Sequence, residues 1–540
     1  MSTPDYSQYA QLSPFELRNR LLAIASSDDQ RLLLNAGRGN PNFLATLPRR
    51  AFLTLGAFAI EESERVSHPF DRAFGAFPEL AGLTDRFAAY VALNMDPEGI
   101  SFLRSALTHA TSRLDIEEGE LLFEMVNAFL GCHYPTPPRM LPLLERIVRE
   151  YLTQELYGEV ALDNAYSMFA TEGGTAAMTY IFQTLRANHL ISPGDRIAAA
   201  TPIFSPYLEI PILAEYDLEI VEIRMDEHAD WQLTVAEIAK LRDPTIKILC
   251  LVNPSNPPST KFSNHTLDEI AALIENHRRD LLIVTDDVYA TFADDFVSLF
   301  ARCPRNTIGV YSFSKYFGAT GWRLGAVALH DENEFDTQLL ALDGDTQDLL
   351  NRRYASLTET LCSFKFMDRL VADSRAVALN HTAGLSTPQQ LQMALFALHG
   401  LLDHGQHRYK DAAKDLIRGR HQTLYSSMAI DTARGPNNVQ YYALIDLQEL
   451  GATLYGAEFS AWFSDRNGGT NFVFRLAEET GVVLLPGSGF EALESSVRVS
   501  LANLNERQYA SIGRYTSQIL AEYFHEYQVN QPDDRPRSPE

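Results

Sequence analysis

Short apolar runs that stop on Pro, Asn or Asp recur through the middle of the chain. They are DRIAAATP (Asp195 to Pro202), IKILCLVNP (Ile246 to Pro254) and LLIVTDDVY (Leu281 to Tyr289). Runs without polar alternation suit strands covered on both faces of a parallel sheet. A helical pattern lies between two of them: SNHTLDEIAALIENHRR, Ser263 to Arg279, opens with cap residues and then sets Leu267, Ile270, Leu273 and Ile274 on one face. The repeating unit is βα, which predicts an α/β fold around a large, mainly parallel sheet. In open sheets of this kind ligands sit at the carboxyl ends of the strands. From about Asn380 the pattern turns to long helices and then to a mixed region ending near Tyr523, which predicts a smaller second domain. The first thirty or so residues are polar and mixed, and the last dozen, VNQPDDRPRSPE, are rich in proline and charge. Both ends are expected to be arms or tails without chemistry.

Size and charge narrow the class. At 540 residues the chain exceeds one ordinary core, so at least two domains, or one large α/β domain with additions, are expected. A formal charge of -25 argues against a nucleic-acid surface. The opening MSTPDYSQYA has neither a basic nor an apolar leader region, and no run of apolar residues is long enough to span a bilayer. A cytoplasmic protein without membrane contact is therefore expected. Cys132, Cys250, Cys303 and Cys362 are widely spaced, form no C-x-x-C pair, and are expected to be buried thiols.

Four stations after predicted strands carry candidate chemistry. TEGGTAAMTYIFQTL, Thr171 to Leu185, puts glycines before a helix, whose free N–H groups suit an anion; Gly173, Gly174 and Thr175 either hold a phosphate or form a plain turn. NPSNPPS, Asn253 to Ser259, leaves Asn256 able to offer its amide to a ligand or serves as a structural turn. TDDVYATFADDF, Thr285 to Phe296, ends a strand on Asp286 with Tyr289 three positions on; its four acids lack a histidine, so no metal is expected. YSFSKYFGATGWRLG, Tyr311 to Gly325, flanks Lys315 with Ser312 and Ser314 and sets Arg323 eight residues beyond. A lysine near a carbonyl forms a Schiff base, while hydroxyls and a planar guanidinium suit a phosphate. A buried aspartate such as Asp286 would keep a pyridine nitrogen protonated.

The ordered set GGT, N-x-x-N-P, D-x-x-Y and S-x-S-K with an arginine eight residues on resembles the aspartate aminotransferase family of fold-type I pyridoxal-phosphate enzymes, from about Asn35 to about Tyr523. The resemblance implies pyridoxal 5'-phosphate as cofactor and the fold-type I architecture, a large mainly parallel sheet flanked by helices with a smaller α+β second domain. It makes Lys315 the Schiff-base lysine and the base that moves protons. It sets Asp286 on the pyridine nitrogen, Asn256 and Tyr289 on the ring oxygen, and Gly173, Gly174, Thr175, Ser312, Ser314 and Arg323 around the phosphate. Phe204, in TPIFSPY, holds the place of a ring stacked on the cofactor. Arg498, in SSVRVSLANLNE, takes the place of the clamp on the substrate α-carboxylate, its alternative being an arginine on an edge strand. Tyr134, in HYPTPP, takes that of a tyrosine lent across a homodimer interface to the neighbouring phosphate. His133 is expected to pack.

The chain exceeds a common member of that family. NAGRGNPNFLATLPRRAFLTLGAFAIEESER, Asn35 to Arg65, keeps a glycine-bearing substrate loop with Gly39 and adds Arg38; about Val66 to Leu130 is surplus. With NHTAGLSTPQQLQMALFAL at Asn380 to Leu398, this is similar to the β-decarboxylating branch of the family. That likeness implies conversion of L-aspartate to L-alanine and carbon dioxide through an intermediate shared with transamination to 2-oxo acids, and assembly of dimers into a dodecamer. Arg38 is the candidate for a loose hold on the β-carboxylate. A plain aminotransferase and a non-catalytic regulatory protein of this fold remain alternatives. The expected layout is an N-terminal arm and substrate loop at 1–65, a helical insertion at 66–130, a large cofactor domain at 131–379, a helical connection with the small domain at 380–523, and a tail at 524–540.

Overall fold

Alternate residues of one strand feed two different cores, which is why the predicted runs lack polar alternation. In the strand Ile246–Val252, Ile248, Cys250 and Val252 pack into the main core, while Leu249 and Leu251 meet Leu267, Ile270 and Leu273 on the other side of the sheet. The structure is a computed structural model that describes residues 6, 9, 12–27, 31–67, 74–93, 96–158, 162, 165–375, 384–430, 435–466 and 468–530.

The strands are β1 (Leu34–Asn35), β2 (Tyr166–Thr171), β3 (Arg196–Thr201), β4 (Glu219–Asp226), β5 (Gln232–Leu233), β6 (Ile246–Val252), β7 (Leu282–Asp286), β8 (Thr307–Ser312), β9 (Gly325–His330), β10 (Tyr442–Asp446), β11 (Val482–Val483), β12 (Leu485–Pro486) and β13 (Ser496–Ser500). Eight of them form one sheet in the order β2-β9-β8-β7-β6-β3-β4-β5. The pairs from β4 through β3, β6 and β7 to β8 are parallel, and β9 runs antiparallel to both its neighbours. The fold is α/β, as expected, and the helix predicted over Ser263 to Arg279 forms at Asn264–His277 with Ser263 as its N-cap.

A second sheet, β10-β13-β12, is antiparallel, and β1 pairs with β11. Helices Arg408–Ser426 and Glu506–Asn530 pack against each other beside it. The surplus segment is built of helices Leu83–Leu93, Pro97–Leu114 and Glu118–Leu130, the last two packed on Thr46–Ser67 and Thr387–Asp403, so Phe87, Leu103 and Leu121 belong to the main core. Asn380 to Ala383 lie outside the described residues.

Three expectations need correction. The N-terminal stretch contains a regular helix, Pro14–Ala25, started by a reciprocal Ser13 and Glu16 capping box and packed on helix Gly469–Thr480 through Leu17 and Leu21. The final helix continues past Tyr523 to Asn530, because Phe524 stacks on Tyr455 and meets Phe459 edge-on, and Tyr527 packs on Phe459 and Trp462. Of the four thiols only Cys250 and Cys303 are buried: Cys362 is exposed, in a short surface helical turn, and Cys132 is half-buried just after the helix Glu118–Leu130.

Candidate active site

The carboxyl ends of β6, β7 and β8 open into a cavity of about 520 Å³ whose other walls come from the first forty residues and from the small sheet. Asn256, Asp286, Tyr289, Ser312, Ser314, Lys315, Arg323, Gly174, Thr175, Phe204, Arg38, Gly39 and Arg498, all expected from sequence, line it. Gly173 stands immediately behind, as N-cap of the helix Gly174–Ala187. Tyr134 does not reach the cavity of its own chain; it is 79% exposed.

One end is made by strand ends. Asp286 is the last residue of β7; its carboxylate accepts the Val288 N–H at 3.2 Å and the Tyr207 hydroxyl at 3.4 Å. Burial pushes its pKa up to about 6, against the opposing pull of those two donors and of Lys315. A buried carboxylate is costly unless a cation or donor meets it, so this group suits a cationic N–H in the cavity. The Ser312 hydroxyl, at the end of β8, donates to Ser314 at 3.0 Å. The helix Gly174–Ala187 starts without a side-chain cap, and Gly173 has φ 93°. A Cβ on Gly173 would lie 2.7 Å from Arg323 Nη2, so only glycine lets that guanidinium lie over the helix start. Arg323, itself in the left-handed region at φ 56°, donates to the carbonyls of Glu172 and Thr320 at 3.0 and 3.1 Å. Free helix N–H groups, two hydroxyls and a guanidinium form a donor set that fits a phosphate.

The other end is made by three segments far apart in the chain. Arg498, on β13, donates to Asn256 Oδ1 at 3.1 Å and to the Gly37 carbonyl at 3.0 Å, while its Nε is buried with no hydrogen-bond partner. Its guanidinium lies 4.6 Å from the Tyr442 ring and 4.4 Å from the Phe490 ring. Burial lowers its pKa, and among the described residues no carboxylate pairs with it. A buried guanidinium with an idle N–H is a seat for an incoming carboxylate. Arg38 is exposed at the rim. Arg18, from the N-terminal helix, also lines the cavity; burial and then the nearby Arg38 charge lower its pKa.

Between the two ends stands Lys315, whose Nζ donates to the Gly39 carbonyl at 3.1 Å; Tyr441 donates to the same oxygen at 2.8 Å. The far end of the Gly39 loop is tied to the Lys315 turn by Arg49, which donates to the carbonyls of Phe317 at 3.2 Å and Gly318 at 2.8 Å. Tyr289 shares a hydrogen bond with Tyr442 at 2.9 Å and receives the Asn256 amide at 3.5 Å.

Sequence reasoning missed Arg18, Tyr207 and Tyr442. Tyr207 follows Phe204 by three residues in a short helix, Pro206–Glu209, and that spacing was the available signal. Arg18 carries no local signal, since on an amphipathic helix it resembles any solvent-facing charge. Tyr442 stands in YYALID, where an aromatic pair entering a strand most often only packs.

The family model for aminotransferase class I and II matches residues 120–512. A bifunctional aspartate aminotransferase and L-aspartate beta-decarboxylase of Pseudomonas sp is 51% identical over 97% of this chain and 99% of that protein. Among solved structures, the aspartate aminotransferase from Thermus thermophilus with maleate aligns at a TM-score of 0.58 and 16% identity, covering 96% of this chain and 100% of that one. An aromatic aminotransferase from Pyrococcus horikoshii OT3 aligns at 0.57 and 18%, covering 95% and 100%.

Proposed function

The chain belongs to the aminotransferase class I and II family, and from that premise we propose that it is a pyridoxal-phosphate-dependent enzyme that converts L-aspartate to L-alanine and carbon dioxide and also transaminates aspartate. The observation that carries this reading is the pairing, in one cavity, of a lysine beside a buried carboxylate with a buried guanidinium that has no carboxylate of its own.

Bound there, pyridoxal phosphate supplies an electron sink for pairs released at the substrate's Cα and Cβ. Lys315 is its covalent seat and then the base that carries the Cα proton. Asp286 holds the ring nitrogen protonated. Asn256 and Tyr289 would donate to the ring oxygen, Phe204 would cover the ring, and Gly173, Gly174, Thr175, Ser312, Ser314 and Arg323 would hold the phosphate. Arg498 grips the α-carboxylate with two donors, which fixes the Cα–H bond toward Lys315.

The β-carboxylate needs a weaker hold. Its charge is lost as carbon dioxide forms, so a tight ion pair would favour the bound substrate over the transition state. Arg38, exposed and without a hydrogen bond or ion pair to any described residue, suits that task, and Arg18 adds a second cation beside it. The active unit is a homodimer in which Tyr134 reaches the phosphate of the neighbouring subunit, and dimers assemble further; His133, the residue before Tyr134, stacks 4.7 Å from the exposed Phe77, so two exposed aromatic rings lie near each other on this face. No helix among the described residues is long and apolar enough to cross a membrane.

The test is incubation of the cofactor-loaded protein with L-aspartate and no keto acid. Sustained release of carbon dioxide and alanine in equal amounts is expected. A single equivalent of oxaloacetate, with no gas until a keto acid is added, would instead leave a plain aminotransferase. Sedimentation velocity of the wild type and of Tyr134→Ala tests the assembly.

A further inference from the structure

The β-decarboxylase reading leaves one proton without a donor. When the bond from Cβ to the carboxylate breaks, carbon dioxide leaves and the electron pair stays with the substrate skeleton, so Cβ must gain a proton before alanine can form. Lys315 already serves Cα.

A second hydroxyl faces the same space. Tyr442 is the first residue of β10, is 3% exposed, and lines the cavity. A Cβ built on Gly39 would lie 2.1 Å from the Tyr442 hydroxyl oxygen and 3.2 Å from Lys315 Nζ, so phenol and amine flank one small space that only glycine leaves open. The phenol cannot swing away. Its backbone N–H donates to Ser259 Oγ at 2.7 Å, the Arg498 guanidinium covers its ring at 4.6 Å, and the Tyr289 ring meets it edge-on at 5.6 Å. Tyr442, Lys315 and Arg498 line one cavity, so a substrate whose α-carboxylate sits on Arg498 would present its carbons to the space that the phenol and the amine flank.

The geometry points to Tyr442 as the acid that protonates Cβ of the substrate after carbon dioxide leaves. This rests on the β-decarboxylase reading. The atoms balance: the Cβ–carboxylate bond breaks, carbon dioxide departs, and Cβ bonds to the proton of Tyr442. The phenolate recovers a proton from Tyr289, 2.9 Å away, and Tyr289 recovers one from water. One proton is consumed for each aspartate converted. A phenol suits the task because its O–H can be given up and then restored through a neighbour of the same kind.

The experiment compares cofactor-loaded wild type with Tyr442→Phe, which keeps the ring beneath Arg498 and removes only the hydroxyl. Bound-cofactor absorbance and the thermal midpoint check that the variant is loaded and folded. The ratio of alanine to oxaloacetate is expected to fall about 100-fold, the lower end of what a positioned acid contributes. The second readout is the configuration of the alanine methyl group made from stereospecifically deuterated aspartate in tritiated water. The wild type is expected to give one configuration, and the residual alanine from Tyr442→Phe a mixture, because water then approaches from either face. This readout needs only traces of product, so it holds if the variant folds in low yield. A ratio within threefold of the wild type, or a variant methyl group of single configuration, would overturn the assignment. A wild-type enzyme that releases no carbon dioxide would overturn it together with the decarboxylase reading.

Discussion

The two ends of the cavity are built in opposite ways. At the cofactor end the side chains stand on the termini of adjacent strands of one sheet and hydrogen-bond to one another: Ser312 to Ser314, Val288 and Tyr207 to Asp286, Arg323 to the backbone before the helix Gly174–Ala187. At the substrate end Arg18, Arg38 and Arg498 come from the first forty residues and from the last strand, and among the described residues no carboxylate is paired with Arg38 or Arg498. The first arrangement is preorganised, so binding there costs little reordering. At the second, Arg38 and Arg498 have no carboxylate partner among the described residues, so on the proposed reading the energy of that end would be realised when a dicarboxylate arrives. On the proposed reading, the difference teaches that one end would hold chemistry in place and the other would select what is processed.

The comparison can be broken at its firm end first. Lys315→Ala is expected to reduce turnover of aspartate by at least about 10⁴-fold in both reactions. A variant that kept a tenth of its turnover would move the chemistry to another group. At the selective end, Arg498→Ala removes a buried charged donor and is expected to raise the KM for aspartate about 100-fold, with both activities losing together because both substrates carry the α-carboxylate. If only one activity fell, Arg498 would belong to the β-carboxylate instead. Arg38→Ala, at an exposed guanidinium, is expected to have a smaller effect: a rise in KM of about fivefold and a shift in the ratio of decarboxylation to transamination. Unchanged KM and ratio would remove it from the site.

The smallest effect sharpens the electrostatic half of the contrast. Burial raises the Asp286 pKa from 3.8 to about 6, so the folded cofactor-free chain keeps a proton that the unfolded chain has already released. That share of stability is fully present below about pH 4 and is lost as pH rises through about 6. Asp286→Asn is expected to raise the thermal midpoint at about pH 7.5 relative to that at about pH 4.5 by about 1–3 °C more than in the wild type, in the cofactor-free protein. An identical difference in the two proteins would mean that the burial of Asp286 carries no such linkage. Asp287 contributes in the same direction in both proteins, since burial holds it at about 7.

The same contrast explains what was legible in the sequence. Asn256, Asp286 and Ser312 lie at or just past the ends of buried apolar runs, so a local pattern reports both the strand and the place where a ligand meets it. The helix Asn264–His277 was legible for the same reason, from its cap and its apolar face. The substrate end has no such local signature. Arg18 reaches the cavity only because Leu17 and Leu21 dock its helix on Gly469–Thr480, a long-range contact that no spacing within the first thirty residues encodes. Tyr442 acquires its neighbours by pairing β10 with β13, where Leu444 stands opposite Arg498. The exposed Cys362 and the continuation of the last helix to Asn530 were missed because composition alone does not say which side chains find a neighbour.

The chain order of the two ends has a consequence for how the protein comes into being. Every side chain of the cofactor end, from Gly173 to Arg323, leaves the ribosome before synthesis reaches β13, and folding during synthesis proceeds from the N-terminus. Arg18 and Arg38 emerge earlier still, yet the segments that hold them in place, helix Gly469–Thr480 and β11, emerge only after the whole cofactor end. On the proposed reading, a nascent chain would have every side chain of its coenzyme cradle out before the residues that discriminate among amino acids are in place, and selectivity for the dicarboxylate would come only with the final strand.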